Sequence, residues 1–290
     1  MGVCGPMADK LESPVNRDDM PFVAPCRHVP AYAPWYWLSE GFADLRKAPL
    51  QSLTYGLFMA ALIMTVTYMV WRYGSAWIMF SMLCGFVFIA PLSCIGIYAI
   101  SAQLERDQPV SMKQSLQAAF RRYLGTELVF ALVLLIIFLV WARAASVVSI
   151  FLPDSANPSL AEMAVYITVG SLVAALFVGI TFSASIFALP MIMHRNVDAI
   201  TAILTSVNTV LHNKLAMLVW VGLILIGVVI SIATAGLGFI IFLPAVGHGV
   251  WHGYLDTIDA QAFPRHEVGI TALPRTKGGQ PRFRPRKKSD

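Results

Sequence analysis

Two histidines and an aspartate follow one another at four-residue intervals near the end of the last apolar stretch of this chain. The segment LPAVGHGVWHGYLD, residues 243–256, contains His248, His252 and Asp256. Residues four apart lie on one face of an α-helix, so this spacing aligns the three side chains. Imidazole nitrogens bind transition metals and haem iron, and a carboxylate can orient a ligating histidine. The pattern is therefore compatible with a metal or haem site at His248 and His252, supported by Asp256.

Two other roles fit the same histidines. The imidazoles can be structural, with hydrogen bonds to backbone or to neighbouring helices. Ionisable groups that face the inside of a membrane bundle also mark pathways for protons or solutes. A site with two ligands is weak, and the third donors expected at similar depth are His194, Met193 and Cys94. The residues alone favour the structural role over the other two.

The composition defines the class of protein. The chain has 290 residues, of which 57% are hydrophobic and 13% charged, and a mean hydropathy of +0.68. Soluble domains carry about 25% charged residues, so a soluble protein is excluded. Apolar runs of about 20 residues are long enough to cross a bilayer. The first 30 residues contain acids and prolines and no apolar core, which predicts a retained first span and no cleaved signal peptide.

The hydropathy pattern predicts an all-α membrane protein with six transmembrane helices. The predicted spans are residues 53–71, 76–100, 124–145, 164–193, 214–233 and 236–255. With six spans, 19 of the 21 lysines and arginines fall on one side, which the positive-inside rule assigns to the cytoplasm together with both termini. The predicted division is a polar, disordered head (1–36), a membrane domain (37–257) and a basic, disordered tail (258–290).

Spans two, four and six each contain a proline toward the cytoplasmic end: Pro91, Pro190 and Pro244. Proline removes a helical hydrogen bond and tends to kink the helix. Three prolines at matched depth predict a common bend that opens a vestibule toward the cytoplasm. Beside the histidines, a stripe of small residues predicts a close helix contact. This stripe consists of Ala245, Gly249 and Gly253.

Two connections between spans have the apolar periodicity of helices that lie on a membrane surface. One is ERDQPVSMKQSLQAAFRRYLG, between spans two and three, and the other is RNVDAITAILTSVNTVLHNKL, between spans four and five. The apolar stripe of the second connection comprises Val197, Ile200, Ile203, Leu204, Val207 and Leu211. Before the first span, Trp35, Trp37 and Phe42 are predicted to anchor the chain at the interface. The basic tail is expected to attract anionic lipids, and no nucleic-acid partner is expected.

Four stretches of the sequence resemble one family. They are WLSEGFADLRKAPLQSLTYG, APLSCIGIYAISAQLER, LPMIMHRNVDAITAILTSV and LPAVGHGVWHGYLD. Together they are similar to the uncharacterised bacterial integral membrane proteins grouped as domain of unknown function 2189, over residues 37–257. The resemblance implies six helices in the inner membrane and no assigned activity. It also implies that an acid is commoner at the position of His194, whereas the two later histidines fit the family pattern.

The sequence contains no phosphate-binding glycine loop, nucleophile elbow or HExxH motif. The leading hypothesis is therefore a non-enzymatic inner-membrane component without a cofactor. The alternatives are a metal- or haem-binding accessory of the respiratory chain and a transporter of small solutes.

Overall fold

The protein is mostly helical over the residues that the structure, a computed structural model, describes. The described residues are 21–74, 93–106, 110, 124–153 and 159–264. Nine α-helices lie within these ranges. They are α1 (Ala33–Lys47), α2 (Pro49–Tyr73), α3 (Ile95–Glu105), α4 (Leu124–Val148), α5 (Leu160–Ser185), α6 (Ala188–His194), α7 (Ala199–His212), α8 (Lys214–Ala233) and α9 (Phe239–Thr257). A short 3-10 helix, Ser149–Phe151, follows α4.

Four helical segments are long and apolar enough to cross a membrane. They are Pro49–Tyr73, Gly125–Phe151, Leu160–His194 and Lys214–Ala233. The predicted all-α membrane class is confirmed for the described residues, but this count differs from the six spans that the sequence predicts. The second predicted span, 76–100, lies mostly outside the described residues. The sixth forms α9, which is not one of the four because its polar residues lower its hydropathy.

Local sequence explains where several helices begin and end. Ser159 caps α5 in a reciprocal capping box with Glu162, and the side chain of Asp198 caps α7 by accepting a hydrogen bond from the Thr201 amide. Between α8 and α9 the chain turns tightly at Gly236, whose φ of 86° is costly for other residues. This turn lets α9 follow α8 without a long loop.

The prolines have different local effects. The chain breaks between α5 and α6, shortly before Pro190. Because proline has no N–H, the carbonyl of Ile186, four residues earlier, has no helical donor. Pro244 lies inside α9, which continues through it. Pro91 lies outside the described residues. The two best-defined cavities among the described residues lie on the outer surfaces of α4 and of α2 with α8, so the vestibule stays a prediction.

Helix α9 is the centre of the described structure. It contacts α1, α2, α3, α6 and α8, and the three helices α3, α6 and α9 also contact one another. The largest fully buried side chains lie around α9 and include Trp37, Trp220, Trp251 and Tyr254. By contrast, α2, α4, α5 and α8 expose large apolar residues such as Leu57, Leu132, Leu172 and Val229. Such surfaces suit contact with lipid tails, which are as apolar as leucine.

The two ends of the described chain pair with each other. We call residues 21–32 and 257–264 together the terminal clasp. The amide of Arg27 donates to the Thr257 carbonyl over 2.7 Å, the amide of Asp259 donates to the Pro25 carbonyl over 2.9 Å, and the side chains of Arg27 and Asp259 form a 3.0 Å ion pair. The predicted division at 36 and 257 stays a prediction, to which the structure adds these contacts between the two ends. Residues 21–36 and 258–264 have defined positions because backbone pairing fixes them, whereas 1–20 and 265–290 lie outside the described residues.

Helix α7 carries its polar residues inward and part of its apolar stripe outward. The outward residues of the predicted stripe are Ile200, Leu204 and Leu211, with exposed fractions of 46%, 38% and 56%. Its buried face includes Thr201, Thr205, Ser206 and Thr209. The stripe is narrower than the sequence predicts, because Val197 and Ile203 are buried against the core. The other predicted surface helix, between spans two and three, lies mostly outside the described residues.

The three predicted aromatic anchors have different positions. Trp35 is exposed and Phe42 is half-buried, whereas Trp37 is completely buried. The indole of Trp37 packs edge-on against Phe187 at 6.4 Å and against Trp220 at 5.9 Å between ring centroids. The prediction that Trp37 anchors the membrane interface is wrong, since its face of α1 packs against α9 instead of lipid.

Candidate functional site

His248 joins three helices through hydrogen bonds to two serines. Its Nε2 lies 3.0 Å from the Ser52 hydroxyl of α2, and its Nδ1 lies 2.6 Å from the Ser101 hydroxyl of α3. All three side chains are buried. A neutral imidazole has one donor and one acceptor nitrogen, and a hydroxyl can play either role. Two serines therefore satisfy the ring completely without any charge.

His252 pairs with an aspartate of α1. Its Nε2 lies 2.7 Å from Oδ2 of Asp44, and the same carboxylate accepts a 2.8 Å hydrogen bond from Lys47. Asp44 is buried, with 3% of its surface exposed. Burial by itself would raise the pKa of Asp44, but the hydrogen bonds and positive charges of His252 and Lys47 outweigh it and hold the pKa below the usual range. The ionised carboxylate of Asp44 makes this pair a charge-assisted hydrogen bond between α1 and α9.

Asp256 accepts a hydrogen bond from a tryptophan. Its Oδ2 lies 2.9 Å from Nε1 of Trp37, so this carboxylate also joins α9 to α1. The sequence pattern assigns to Asp256 the role of orienting His252. In the structure the carboxylate hydrogen-bonded to His252 is Asp44, which a pattern within one helix could not reveal.

His194, the first of the suggested third donors, lies in a separate contact between α6 and α9. Its Nδ1 is 2.9 Å from the Tyr254 hydroxyl, and its Nε2 is 4.0 Å from a carboxylate oxygen of Glu105. The ring also packs against Trp251, with centroids 5.6 Å apart. The side chain is almost completely buried, at 3% exposed. His194 therefore packs with Tyr254 and Trp251 and does not complete a set with His248 and His252.

The metal or haem hypothesis for His248 and His252 stays a prediction. Among the described residues, no group of three or more histidine, cysteine, aspartate or glutamate side chains could hold a metal ion. His248 would have to give up a serine before it could bind iron or zinc. Cys94, another suggested donor, precedes α3, and Met193 is buried within α6. The described contacts support the structural interpretation of these histidines.

The stripe of small residues lies where helices come closest. A side chain at Gly41 of α1 would collide with the backbone of Ala245 and Gly249. A Cβ at Gly249 would lie 2.9 Å from Trp220, and one at Gly253 would lie 3.1 Å from Trp37. The backbones of α1 and α9 can meet only because glycine is present on both, as in other close membrane helix pairs.

The hydrogen-bond partners of these three histidines could not be identified from the sequence. They are Asp44, Ser52, Ser101 and Tyr254. Asp44 gives a weak signal, because a carboxylate in a segment before an apolar span needs a partner if it is buried. Serine and tyrosine hydroxyls are common in membrane helices, and their spacing within one helix does not show what they meet on another.

These features define a helical integral membrane protein whose histidines join its helices. Residues 78–194 match a family model described as a predicted integral membrane protein, domain of unknown function 2189. The family resemblance is thereby confirmed for this part of the chain, and no activity accompanies it. No curated protein and no solved structure matches the chain.

Proposed function

We propose that this chain is a non-enzymatic component of the bacterial inner membrane that crosses the bilayer six times with both termini in the cytoplasm. The observation that carries the topology is the terminal clasp. Residues 21–32 and 257–264 are joined by backbone hydrogen bonds and an ion pair. Segments bonded in this way lie on one side of a membrane, so the number of crossings between them is even.

The sixth crossing in this proposal is α9. It begins at Phe239, directly after the tight turn that ends α8, and ends at Thr257, where the terminal clasp begins. Its 19 residues span about 28 Å, close to the roughly 30 Å of a hydrocarbon core. Ten of these 19 residues are buried within the protein. A helix surrounded by protein can carry histidines and glycines that a lipid-facing helix cannot.

The remaining return crossing is assigned to the apolar stretch 76–100, whose described end leads into α3. Helix α3 contacts α6 and α9 at the centre of the structure. This assignment lets α2 and α4 cross outward and α5 with α6 return. The strong bias of lysine and arginine then places the clasp side in the cytoplasm.

Helix α7 supports a membrane-surface position on this side. A helix covered by water would turn its apolar residues inward, whereas α7 exposes Leu204 and Leu211 and buries threonines. Its outward apolar face continues at the start of α8 with Leu215 and Leu218, which are about 70% exposed (71% and 69%). In the proposal, this continuous surface lies in the bilayer interface. The basic tail after Pro264 starts nearby and attracts anionic lipids, at about 1 kcal/mol for each basic residue near the surface.

The non-enzymatic part of the proposal rests on the histidines. Each imidazole of α9 is occupied by a side chain of another helix, which fits a role in assembly of the fold. Solute transport and haem binding remain alternatives without a supporting contact among the described residues.

Cysteine labelling of the full chain in intact cells tests the topology. The four native cysteines are replaced, and single cysteines are introduced at Tyr73, Arg106, Leu152, Asn196 and Leu237. A membrane-impermeant maleimide is expected to label positions 73, 152 and 237 and to leave 106 and 196 unlabelled. If only the four long segments crossed, positions 106, 152, 196 and 237 would all give the opposite result, and the six-span proposal would fail.

A further inference from the structure

A second pair of histidines meets at the terminal clasp. The imidazole centroids of His28 and His212 lie 5.9 Å apart, with an angle of 55° between the rings. Both residues are exposed, His28 in the clasp and His212 at the end of α7. The two residues are far apart in the sequence, so their spacing gave no indication of this contact.

Asn213 joins the backbone on both sides of His28 to the end of α7. Its Nδ2 donates to the Arg27 carbonyl over 3.0 Å, and its Oδ1 accepts from the Val29 amide over 2.9 Å. Both neighbours of His28 are therefore bonded to the residue that directly follows His212. These contacts hold the backbone of His28 beside the end of α7, where His212 lies.

A hydrogen bond orients the His212 ring so that its Nε2 can bind a metal ion. Its Nδ1 lies 2.9 Å from the Asn208 carbonyl, which can only accept a hydrogen bond. The proton of the neutral ring is thus held on Nδ1, and Nε2 keeps a free lone pair. Metal-binding histidines are oriented in this way, by donation from the second nitrogen to a carbonyl or carboxylate. The C-terminus of α7 adds a partial negative charge that favours a cation.

The ring separation is close to that of two ligands on a shared ion. With nitrogen–zinc distances of about 2.0–2.1 Å and tetrahedral angles, the centres of two imidazoles on one ion lie roughly 5 Å apart, so the two exposed rings need to close by about 1 Å. No third histidine, cysteine, aspartate or glutamate completes a ligand group with these two in the described ranges. Water would therefore fill the other coordination positions of such an ion.

We propose that His28 and His212 form a surface binding site for a divalent transition-metal ion of the Zn²⁺, Ni²⁺ or Cu²⁺ type. The bound ion would link the terminal clasp to α7. Because the site exists only when the clasp is folded, binding stabilises the folded protein in proportion to the free ion concentration. This site is independent of the proposed topology and of the histidines of α9.

The test uses the full chain in detergent, without a polyhistidine tag and after removal of chelator. Zn²⁺ is titrated by calorimetry into the native protein and into His28→Gln and His212→Gln. The native chain is expected to bind one ion saturably in the micromolar range, and each variant to bind about tenfold more weakly or worse. His266→Gln, which removes the histidine two residues after Pro264 in the sequence, is the control and keeps the native affinity.

A second measurement identifies the ligands directly. The electron paramagnetic resonance spectrum of bound Cu²⁺ is expected to show two imidazole nitrogens in the native chain and one in each variant. Since both side chains are exposed, the variants should retain the native gel-filtration profile and melting temperature without metal. Saturable binding that is unchanged in both variants, or native binding only at millimolar concentration, would overturn the proposal.

Discussion

Helices α8 and α9 are neighbours of nearly equal length, joined by one tight turn, yet they are opposite in composition. Helix α8 exposes leucine and valine along its length, for example Leu218, Leu225 and Val229. Helix α9 contains a proline, glycines and two histidines, and its neighbours are other helices. The difference shows that hydropathy in a membrane protein reports what a helix faces. A helix inside the bundle can therefore have a mean hydropathy too low to identify it as a membrane span.

The forces that hold the two helices also differ. Lipid tails are as apolar as leucine, so burying a leucine of α8 against another helix gains little. Close packing and hydrogen bonds between helices supply the stability in this environment. Helix α9 has both, through Gly249 against α1 and through His248 against α2 and α3. We therefore expect mutations around α9 to be costly and similar mutations on α8 to be mild.

The largest effect is expected for Gly41→Ala. A methyl group at this position would collide with the backbone of Ala245 and Gly249, which cannot move aside as a flexible side chain could. The expected loss is about 3 kcal/mol, at the upper end of the usual cost of overpacking. The measurement is thermal unfolding in detergent, followed by fluorescence-detected gel filtration.

Gly222→Ala on α8 is the matched control, because nothing lies within 4 Å of a Cβ at that position. It is expected to change the melting temperature little or to raise it slightly, since alanine is the better helix former. Equal sensitivity of the two variants would contradict the contrast between α8 and α9.

A smaller loss is expected for His248→Ala. The substitution leaves a cavity and removes the partner of both Ser52 and Ser101, which are buried. The expected cost is about 2–3 kcal/mol, with no change in bound metal. Leu225→Ala on the lipid-facing side of α8 provides the comparison and should cost much less. A native melting temperature for His248→Ala, together with loss of a bound ion, would restore the metal hypothesis for this residue.

The smallest effect is expected for Asp44→Asn, and it should depend on pH. The pKa of Asp44 is held below its usual value of about 4, so the ionised carboxylate stabilises the folded protein at neutral pH. This stability is complete above pH 4 and is lost as the pH falls through the lowered pKa. Asp44→Asn should therefore cost about 1 kcal/mol at pH 7, and this cost should decrease as the pH falls through the lowered pKa of Asp44.

A double-mutant cycle with His252→Gln identifies the partner. Unfolding is measured at pH 7 for both single variants and for the double variant. Because Asp44 and His252 contact each other, the double variant should lose less stability than the sum of the two single losses. Additive losses, or a cost of Asp44→Asn that stays constant with pH, would contradict an ionic contact between α1 and α9.

Much of the fold follows from patterns within single segments. The all-α membrane class, the four long apolar helices, the turn at Gly236 and the helix α7 depend on hydropathy and local conformation. The position of Trp37 does not follow in this way. In sequence it resembles an interfacial anchor, and only the glycines of α9 show that there is room to bury it.

The contacts of the histidines could be predicted from the sequence even less well than the position of Trp37. The sequence brings His248 and His252 together because they are four residues apart, but the structure directs one toward Ser52 and Ser101 and the other toward Asp44. His28 and His212 show no relation in sequence, yet their rings lie side by side. Helical spacing places two residues on a common face, and other helices decide which neighbours that face meets.

The sequence by itself determined that this chain is an integral membrane protein. It also determined which segments are apolar enough to cross the membrane and where small residues permit close helix contact. These properties are local, because the bilayer acts on each segment separately. Only the tertiary structure decided which histidines pair, that α9 is the buried centre, and that the two ends of the chain form one clasp. Those outcomes depend on contacts between segments far apart in the chain, whose geometry no single segment encodes.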